Sequence, residues 1–527
     1  MRKWMLVLGM CSSLFMWDCH GDAPQQQDGQ TQLDAGLEKH VQEISQEERV
    51  PETLHKEEIQ EPPTPKIVPP PTLAWYHHQN VAGLWWPRVA FDKQGYVYYG
   101  SSARTSFTWD NFTFPGGCNS PFVLKLDGNG KLVWAAELSK CPSGGYLSLF
   151  LQGLYVMDSG EIVVIGRYHG TPTFGKTTLK ESRQGPSATF VAKLNAQGKW
   201  LWAKGIQYEV DDTKVLHLDI EHHVGHHLVV DQQGNIYLGG EITHNRVVFD
   251  EKTYSRLGKR DLTLTKLSPD GKLLWFKQFA GKEYDTINSL QIDAKGEVYV
   301  LGSFSLDLRF GDQVLPVGSH GSGLFLAKCS AEGEWRWGKM LMTPASPYGK
   351  FFRLTSDGGF LFVGNVLSGA EFAGQTIKGE KYSHLFTVAK LDKDLKVMWR
   401  RDGSVKGEQN SALWLGNIAV DVLGNIYFAG TFQGEMSFGD DFVKRDKEQH
   451  AYILKLNTQK RWEWIKLFKQ SWTGRVYIDQ KQGVYYATPF CGDVNIDGIS
   501  FTSNPELTDC RSQGADSFIA KFDQQTP

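Results

Sequence analysis

Beyond residue 20 the sequence lacks an apolar run that approaches the roughly 20 residues a membrane-spanning helix needs. It also lacks an excess of one charge, since 56 Lys and Arg residues stand against 59 Asp and Glu residues, for a formal net charge of −3. A broad basic surface for nucleic acid is therefore not expected. The sequence further lacks a nucleophile elbow, a His-Glu-x-x-His motif, a phosphate loop and a dinucleotide fingerprint, so enzyme chemistry and a cofactor are not expected.

What the sequence does contain is a repeat that runs through most of its length. Each copy holds Asp-x-x-Gly before an apolar segment, then an apolar run ending in Lys, then usually a tryptophan about nine residues later. The glycines are on average about 65 residues apart, at Gly95, Gly160, Gly234, Gly296, Gly358, Gly424 and Gly483, with a degenerate motif at Gly160, Gly358 and Gly483. The lysines are Lys125, Lys193, Lys266, Lys328, Lys390, Lys455 and Lys521. The tryptophans are Trp134, Trp202, Trp275, Trp337, Trp399 and Trp464.

Each copy predicts two β-hairpins, with strands named a to d. Alternating apolar segments flank the tight turn at residues 294–296, which is the pattern of a hairpin. A second hairpin turns on glycines between Lys125 and Trp134. No segment of the array carries a sustained helical stripe. Two hairpins form a four-stranded sheet, and such sheets repeated radially are the blades of a β-propeller.

The two ends of the array complement each other. Lys521 is followed only by Phe522 and a short tail, so the seventh copy lacks a fourth strand and its tryptophan. Trp75 precedes the first hairpin, where it belongs to no complete copy. We therefore expect residues 73–76 to pair with residues 517–522 and to complete a seventh blade, because circular closure leaves no raw sheet edge.

The repeats resemble those of the bacterial β-propeller-repeat proteins, with their pattern Asp-x-x-Gly-Asn-x-Tyr-Val-x-Gly, then Phe-Val-x-Lys-Leu, then Gly-x-x-x-Trp. The segments that start at Asp231 and Asp421 match this pattern best, and the resemblance covers roughly residues 72–523. It implies a seven-bladed propeller in an extracytoplasmic, lipoprotein-like chain. It implies little about function, because one fold serves many functions.

The N-terminal region has a different composition. A basic start followed by the apolar run of residues 4–17 predicts a signal peptide over residues 1–19. We favour Cys19 as a lipidation site, because it follows an apolar run of suitable length, over Cys11; cleavage without lipidation is the alternative. Residues 20–71, rich in Gln, Glu and Pro, predict a disordered tether, and residues 72–527 predict the propeller.

Five cysteines remain in the array. The b–c and d–a loops share one face of a propeller, here called the upper face. Cys118 and Cys141 fall in successive upper-face loops, and Cys491 and Cys510 flank another. We predict the disulfides Cys118–Cys141 and Cys491–Cys510, which suit an oxidising compartment. Cys329 replaces an apolar residue and is expected to be buried and reduced.

Two segments contain residues that bind metals in other proteins. A long d–a loop contains His222, His223, His226 and His227, which are candidate ligands for a metal ion. Their spacing fits no standard site, and strand alternation would divide them between two faces. Residues 493–498 imitate the start of a calcium loop, but Asn504 replaces the glutamate at the twelfth position. In repeat register Ile496 falls near Phe438 and Phe310, so we expect a turn at Asp497 and Gly498.

Three copies carry a tryptophan seven residues before the landmark aspartate, namely Trp85, Trp414 and Trp472. Their blades would be neighbours in a closed ring, so the side chains would gather at the upper face near the channel mouth. Exposed aromatics there could stack on sugars or peptide side chains. Packing between blades is the alternative interpretation.

Together these patterns predict a non-enzymatic propeller that is exported to the cell envelope or secreted, and that binds a protein or glycan on its upper face. Its contact with a membrane would be through the lipid anchor only. One alternative is a propeller hydrolase or lyase with its site at the channel mouth, and another is a structural surface protein. Acids and histidines converging at the mouth would favour an enzyme, whereas aromatics and amides would favour binding.

Overall fold

The computed structural model describes residues 70–523 except 140–146, 183–186, 210–226, 244, 280, 318–320, 345–349, 379–383, 407–411, 439–442, 470–472, 491 and 504–514. The chain divides into two parts, Met1–Pro63 and Thr64–Pro527, and all described residues belong to the second. The predicted signal peptide, the lipidation candidates Cys19 and Cys11, and almost all of the predicted tether lie outside the described residues.

The regular structure of the described residues consists of antiparallel β-strands, which confirms the all-β prediction. Within this part of the chain no helix has the length and apolarity that a membrane crossing requires.

Antiparallel pairing joins the longer strands, in chain order, into groups of four, here called sheets 1 to 7; short hairpins are inserted between some of them. Sheet 1 contains the second part of β1 (Thr72–Phe91), β2 (Val97–Ala103), β5 (Ser120–Leu126) and β6 (Leu132–Glu137). Sheet 2 contains β7 (Ser148–Val156), β8 (Ile162–His169), β11 (Ala188–Leu194) and β12 (Trp200–Glu209). Sheet 3 contains β13 (His227–Val230), β14 (Ile236–Ile242), β17 (Asp261–Leu267) and β18 (Leu273–Phe279).

The remaining sheets repeat this order of pairing. Sheet 4 contains β19 (Thr286–Ile292), β20 (Val298–Ser305), β23 (Ser322–Cys329) and β24 (Trp335–Thr343). Sheet 5 contains β25 (Lys350–Leu354), β26 (Phe360–Leu367), β29 (His384–Leu391) and β30 (Val397–Lys406). Sheet 6 contains β31 (Ala412–Val420), β32 (Ile426–Ser437), β33 (Val443–Leu456) and β34 (Trp462–Lys469). Sheet 7 contains β35 (Arg475–Ile478), β36 (Val484–Phe490), β39 (Ala515–Asp523) and the first part of β1.

Short hairpins fill many of the connections between second and third strands. They are β3 (Phe107–Trp109) with β4 (Phe112–Phe114), β9 (Thr173–Phe174) with β10 (Thr177–Thr178), and β15 (Arg246–Phe249) with β16 (Lys252–Ser255). Further along are β21 (Asp307–Phe310) with β22 (Gln313–Pro316), β27 (Glu371–Phe372) with β28 (Gln375–Thr376), and β37 (Asp493–Ile496) with β38 (Ile499–Thr502). Strands β15, β27 and the end of β32 pair with the fourth strand of the preceding sheet and so connect neighbouring sheets.

The sheets pack face to face, and this explains the apolar content of their inner strands. Every residue of β2, β14 and β36 is buried, as expected for strands covered on both faces. The fourth strand β6 is less covered, with Val133 50% exposed. One buried cluster combines Val89 and Tyr99 of sheet 1 with Tyr485 and Ile519 of sheet 7, so these two sheets pack against each other.

Landmark tryptophans tie one sheet to the next. Three of the six donate their indole N–H to a carbonyl in the turn between the third and fourth strands of the following sheet. The pairs are Trp134 with Ala196 at 3.1 Å, Trp202 with Pro269 at 3.1 Å, and Trp275 with Ala331 at 3.0 Å. At these three positions the recurring tryptophan therefore forms a recurring bond between sheets.

The landmark aspartate is a turn-capping residue. Asp421 accepts hydrogen bonds from the backbone N–H groups of Leu423 and Asn425 at 3.0 and 2.9 Å, and from the hydroxyl of Tyr427 at 3.1 Å. The same bonding recurs at Asp92, Asp231, Asp293 and Asp479. These carboxylates satisfy turn donors that would otherwise be unpaired, so they stabilise the fold.

The first part of β1 supplies the fourth strand of sheet 7. Residues 72–79 pair antiparallel with residues 517–523, in the neighbourhood that the sequence predicts. Trp75 donates its indole N–H to the carbonyl of Gly128 at 3.1 Å. Gly128 lies in the β5–β6 turn of sheet 1, so Trp75 makes the same bond between sheets as the landmark tryptophans.

A buried lysine fixes the start of this strand. Lys466 of sheet 6, 7% exposed, donates to the Pro71 carbonyl at 2.9 Å and forms an ion pair with Asp497 at 2.6 Å. The other carboxylate oxygen of Asp497 accepts from the Leu73 N–H at 2.8 Å. Asp497 and Gly498, with φ of 51° and 86°, form the turn of the β37–β38 hairpin. The predicted turn is confirmed, and the Asp497 carboxylate is bound by protein groups.

The described cysteines are in the predicted states. Cys329 is free and fully buried in β23, and burial raises the pKa of its thiol to about 12. Cys118, between β4 and β5, is disulfide-bonded. Cys141, Cys491 and Cys510 lie outside the described residues, so both pairings stay predictions.

Peptide mapping without reduction is expected to recover the linked pairs Cys118–Cys141 and Cys491–Cys510. Each bridge should contribute about 2–4 kcal/mol, so reduction should lower the melting temperature of the wild type. A Cys329→Ala variant is the control and should retain both links. A linked peptide that contains Cys329 would contradict the pairing.

Candidate functional site

The first strands of all seven sheets line one cavity of about 1760 Å³. They are the second part of β1, then β7, β13, β19, β25, β31 and β35. Each has one edge without a partner in its own sheet, so backbone groups as well as side chains are available there. The volume exceeds the range of about 300–1,000 Å³ that is usual for small-molecule pockets.

One register position recurs in all seven first strands among the residues that line this cavity. It lies four residues before the landmark position, and each member pairs with the same position of the second strand. The members, called the middle ring, are Arg88, Gly153, His227, Ser289, Phe351, Asn417 and Arg475. A ring with two arginines, a histidine and an asparagine is far more polar than the strands behind it.

Several polar side chains in the cavity bind the free edge of the next first strand. The bonds are Arg88 Nε to the Gln152 carbonyl at 2.7 Å, His227 Nε2 to the Ile287 carbonyl at 3.0 Å, and Asn417 Nδ2 to the Val476 carbonyl at 2.8 Å. Arg353, two residues beyond the ring, donates to the Ile418 carbonyl at 3.3 Å. Part of the polarity is therefore structural, because it satisfies unpaired backbone acceptors.

The middle of the cavity is cationic. Arg88, Arg353 and Arg475 all line it. The pKa of Arg88 is lowered to about 9, chiefly by burial and then by the charge of Arg475, and burial also lowers the pKa of Arg353. Asp357 and Asp421 line the cavity at the turns that follow their first strands. Asp357 forms an ion pair with Lys390, and Asp421 caps its own turn. Positive charge therefore concentrates away from these carboxylates.

Only one of the four metal-candidate histidines is described. His227 is the first residue of β13, and its Nε2 is engaged with the Ile287 carbonyl. Burial lowers the pKa of His227 to about 4, so its imidazole is neutral at pH 7. His222, His223 and His226 lie outside the described residues. Within the part of the chain that is described, no three His, Cys, Asp or Glu residues cluster as a metal site.

The structure places two of the three predicted tryptophans at equivalent register positions. Trp85 pairs with Ser102 and Trp414 with Thr431, which are equivalent positions of β2 and β32. Trp414 is 38% exposed, so it is not a core residue. Trp472 and the side chain of Trp85 lie outside the described residues.

Sequence reasoning missed a third described aromatic at this position. Phe150 pairs with Arg167, which is equivalent to the pairing of Trp85 and Trp414, and the Arg167 guanidinium lies 4.6 Å from the Phe150 ring centroid. Phe150 is seven residues before Met157, which replaces the landmark aspartate in this copy. The same offset would have found it in spite of the degenerate motif. Trp85, Phe150 and Trp414 are called the rim position below.

Three buried acids lie where sheets 3 and 4 meet. Backbone N–H groups donate to each of them: Gly258 to Asp261 at 2.7 Å, Gly281 to Asp285 at 2.7 Å, and Ile287 to Glu241 at 3.2 Å. Burial raises the pKa values of Glu241 and Asp285 to about 7. Of the three, only Glu241 lines the cavity. The group mainly holds loop backbone in place.

No protein-family model matches the chain, and no curated protein matches it in sequence. A solved protein of unknown function from Dyadobacter fermentans is 12% identical with a TM-score of 0.36, covering 72% of this chain and 95% of that chain. One of unknown function from Bacteroides caccae is 9% identical with a TM-score of 0.31, covering 66% and 89%. A puromycin hydrolase is 12% identical with a TM-score of 0.37, and the match spans 80% of this chain but 53% of that one. Similarities this weak assign no activity to the chain.

Proposed function

We propose that the seven sheets are the blades of a β-propeller and that β1 closes the ring. The first strands of all seven sheets line one cavity, which supports a radial arrangement. Residues 72–79 pair with β39, and the Trp75 bond to sheet 1 repeats the bond of Trp134 to sheet 2. Buried residues of sheets 7 and 1 share one cluster, as neighbouring blades would.

The function that this architecture supports best is binding of a protein or glycan at the upper face, in a protein exported to the cell envelope. The observation that carries it is the exposed Trp414 at the rim position, which Trp85 and Phe150 share. Aromatic rings held on paired strands lose little entropy when a ligand stacks on them. Upper-face loops vary between sheets, and binding commonly resides in variable loops on a rigid frame.

Trp414→Ala is expected to weaken ligand binding with little loss of stability. Stacking on an exposed ring contributes on the order of 1 kcal/mol, so affinity should fall roughly fivefold. The measurement is a glycan array and an envelope-protein array probed with residues 20–527, followed by titration calorimetry of the strongest ligand. Thermal melting of the same variant reports its stability.

Val133→Ala is the matched control, since Val133 is 50% exposed on β6 and does not line the cavity. It should leave binding unchanged. A stability loss of about 3–5 kcal/mol in Trp414→Ala would instead show a core residue, and the binding proposal would fail. Equal affinity in wild type and Trp414→Ala would also contradict it.

One observation favours a hydrolase or lyase as the second candidate. Glu241 lines the cavity with a pKa raised to about 7, within the range of a general acid or base. Its Oε1 already accepts the Ile287 N–H, and its other oxygen lies 3.7 Å from Arg260. A structural role accounts for these contacts. Recovery of the array ligand in cleaved form would favour the enzyme over the binding protein.

A further inference from the structure

The middle ring contains two arginines whose charges are not needed for a ligand to stack at the rim position. Arg88 and Arg475 belong to sheets 1 and 7, whose buried residues share one cluster, and they occupy the same register position of the middle ring. Like charges so placed repel, and both guanidinium groups lose part of their hydration there. Such an arrangement destabilises the folded protein unless another contact offsets it.

The two arginines differ in their own contacts. Arg88 donates from Nε to the Gln152 carbonyl at 2.7 Å and from Nη1 to the Pro87 carbonyl at 3.3 Å, so its position is fixed by backbone. Within the described residues the Arg475 guanidinium has no hydrogen bond and no ion pair, although it lines the cavity. A structural role as a bridge to the next strand therefore fits Arg88 but not Arg475.

We infer that Arg88 and Arg475 bind an oxyanion, a carboxylate or a phosphate, carried by the ligand that contacts the rim. Guanidinium groups present planar sets of donors that match both oxyanions. Along the first strands, Arg88 follows Trp85 by three residues, so a ligand stacked at the rim can reach the middle ring with an acidic substituent. The lowered pKa of Arg88 is the change that a bound anion would reverse. The inference rests on the proposed binding function and adds the chemical class of the ligand.

The test uses sodium phosphate and sodium acetate as probes, against sodium chloride at the same ionic strength. Thermal melting of residues 20–527 is expected to rise and saturate with phosphate or acetate, because a ligand of the folded state stabilises it by mass action. Preference for phosphate would point to a phosphorylated ligand, and preference for acetate to a carboxylated one; either preference over chloride supports the inference. Equal shifts with all three salts would overturn it.

Arg475→Gln is the diagnostic variant. It should bind the preferred anion roughly tenfold more weakly, since a charge-assisted contact is lost. In chloride alone it should melt at or above the wild-type temperature, because repulsion with Arg88 is removed. A lower melting temperature in chloride would show a structural arginine and would overturn the inference.

Two further variants separate this inference from the rim proposal. Arg309→Gln, which changes an exposed arginine of β21 outside the cavity, should leave anion binding unchanged. Trp414→Ala should also keep the anion affinity of the wild type. If the array ligand still depends on Trp414 while no anion binds, the oxyanion site fails and the binding face stands.

Discussion

Deletion of residues 72–78 is expected to lower the melting temperature on the order of 10 °C. The deletion removes Trp75 with its bond to the Gly128 carbonyl, and it takes the pairing partner from β39. Loss of a packed tryptophan alone costs about 3–5 kcal/mol, and the lost pairing with β39 adds to it. In a folded domain of this size one kcal/mol corresponds to about 1 °C, because the unfolding entropy is about 2.1 cal/mol/K per residue. Thermal melting followed by circular dichroism is the measurement.

Deletion of residues 20–65 is the matched control because it removes far more chain and keeps the closing strand. This shorter protein should melt within a few degrees of the full chain. Equal melting temperatures for the two deletions would show that β1 is not needed to close the ring.

Gly198→Ala is expected to destabilise the protein by about 2–5 kcal/mol. Gly198 has a φ of 76°, and an added Cβ would lie 2.9 Å from the Trp134 ring. The left-handed conformation costs an alanine about 1–2 kcal/mol, and the overpacked contact adds about 1–3 kcal/mol. Chemical denaturation would measure the loss.

Gly374→Ala separates the two contributions, since Gly374 has a φ of 75° and no atom within 4 Å of an added Cβ. It should cost only the conformational part, about 1–2 kcal/mol. If the two variants lose the same stability, the contact between the Gly198 turn and Trp134 is not what ties sheet 1 to sheet 2.

Much of the fold was predictable because residues at the same position of each copy have the same structural role. Aspartate caps a turn, and tryptophan reaches the next sheet, so both can be found by spacing alone. The orphan Trp75 predicted the strand that pairs with β39 because a fourth strand with its tryptophan was missing there. The sequence did not reveal that β15 of the extra hairpin β15–β16 pairs with the preceding sheet.

The cavity was harder to predict than the sheets. Arg88 and Arg475 both lie four residues before a landmark aspartate, but in other copies this position holds Gly, His, Ser, Phe or Asn. A position that varies between copies gives no periodic signal, and its importance emerges only because the seven first strands line one cavity. Phe150 was missed for a related reason, because Met157 replaces the aspartate that would have marked its copy.

Hydrogen exchange of residues 72–79 tests whether β1 closes the seven sheets into a ring. The backbone of this segment pairs with β39, so its amides should be protected as strongly as those of β18, an ordinary fourth strand. Exchange of residues 72–79 at the rate of an unstructured peptide, while β18 stays protected, would contradict the closed ring.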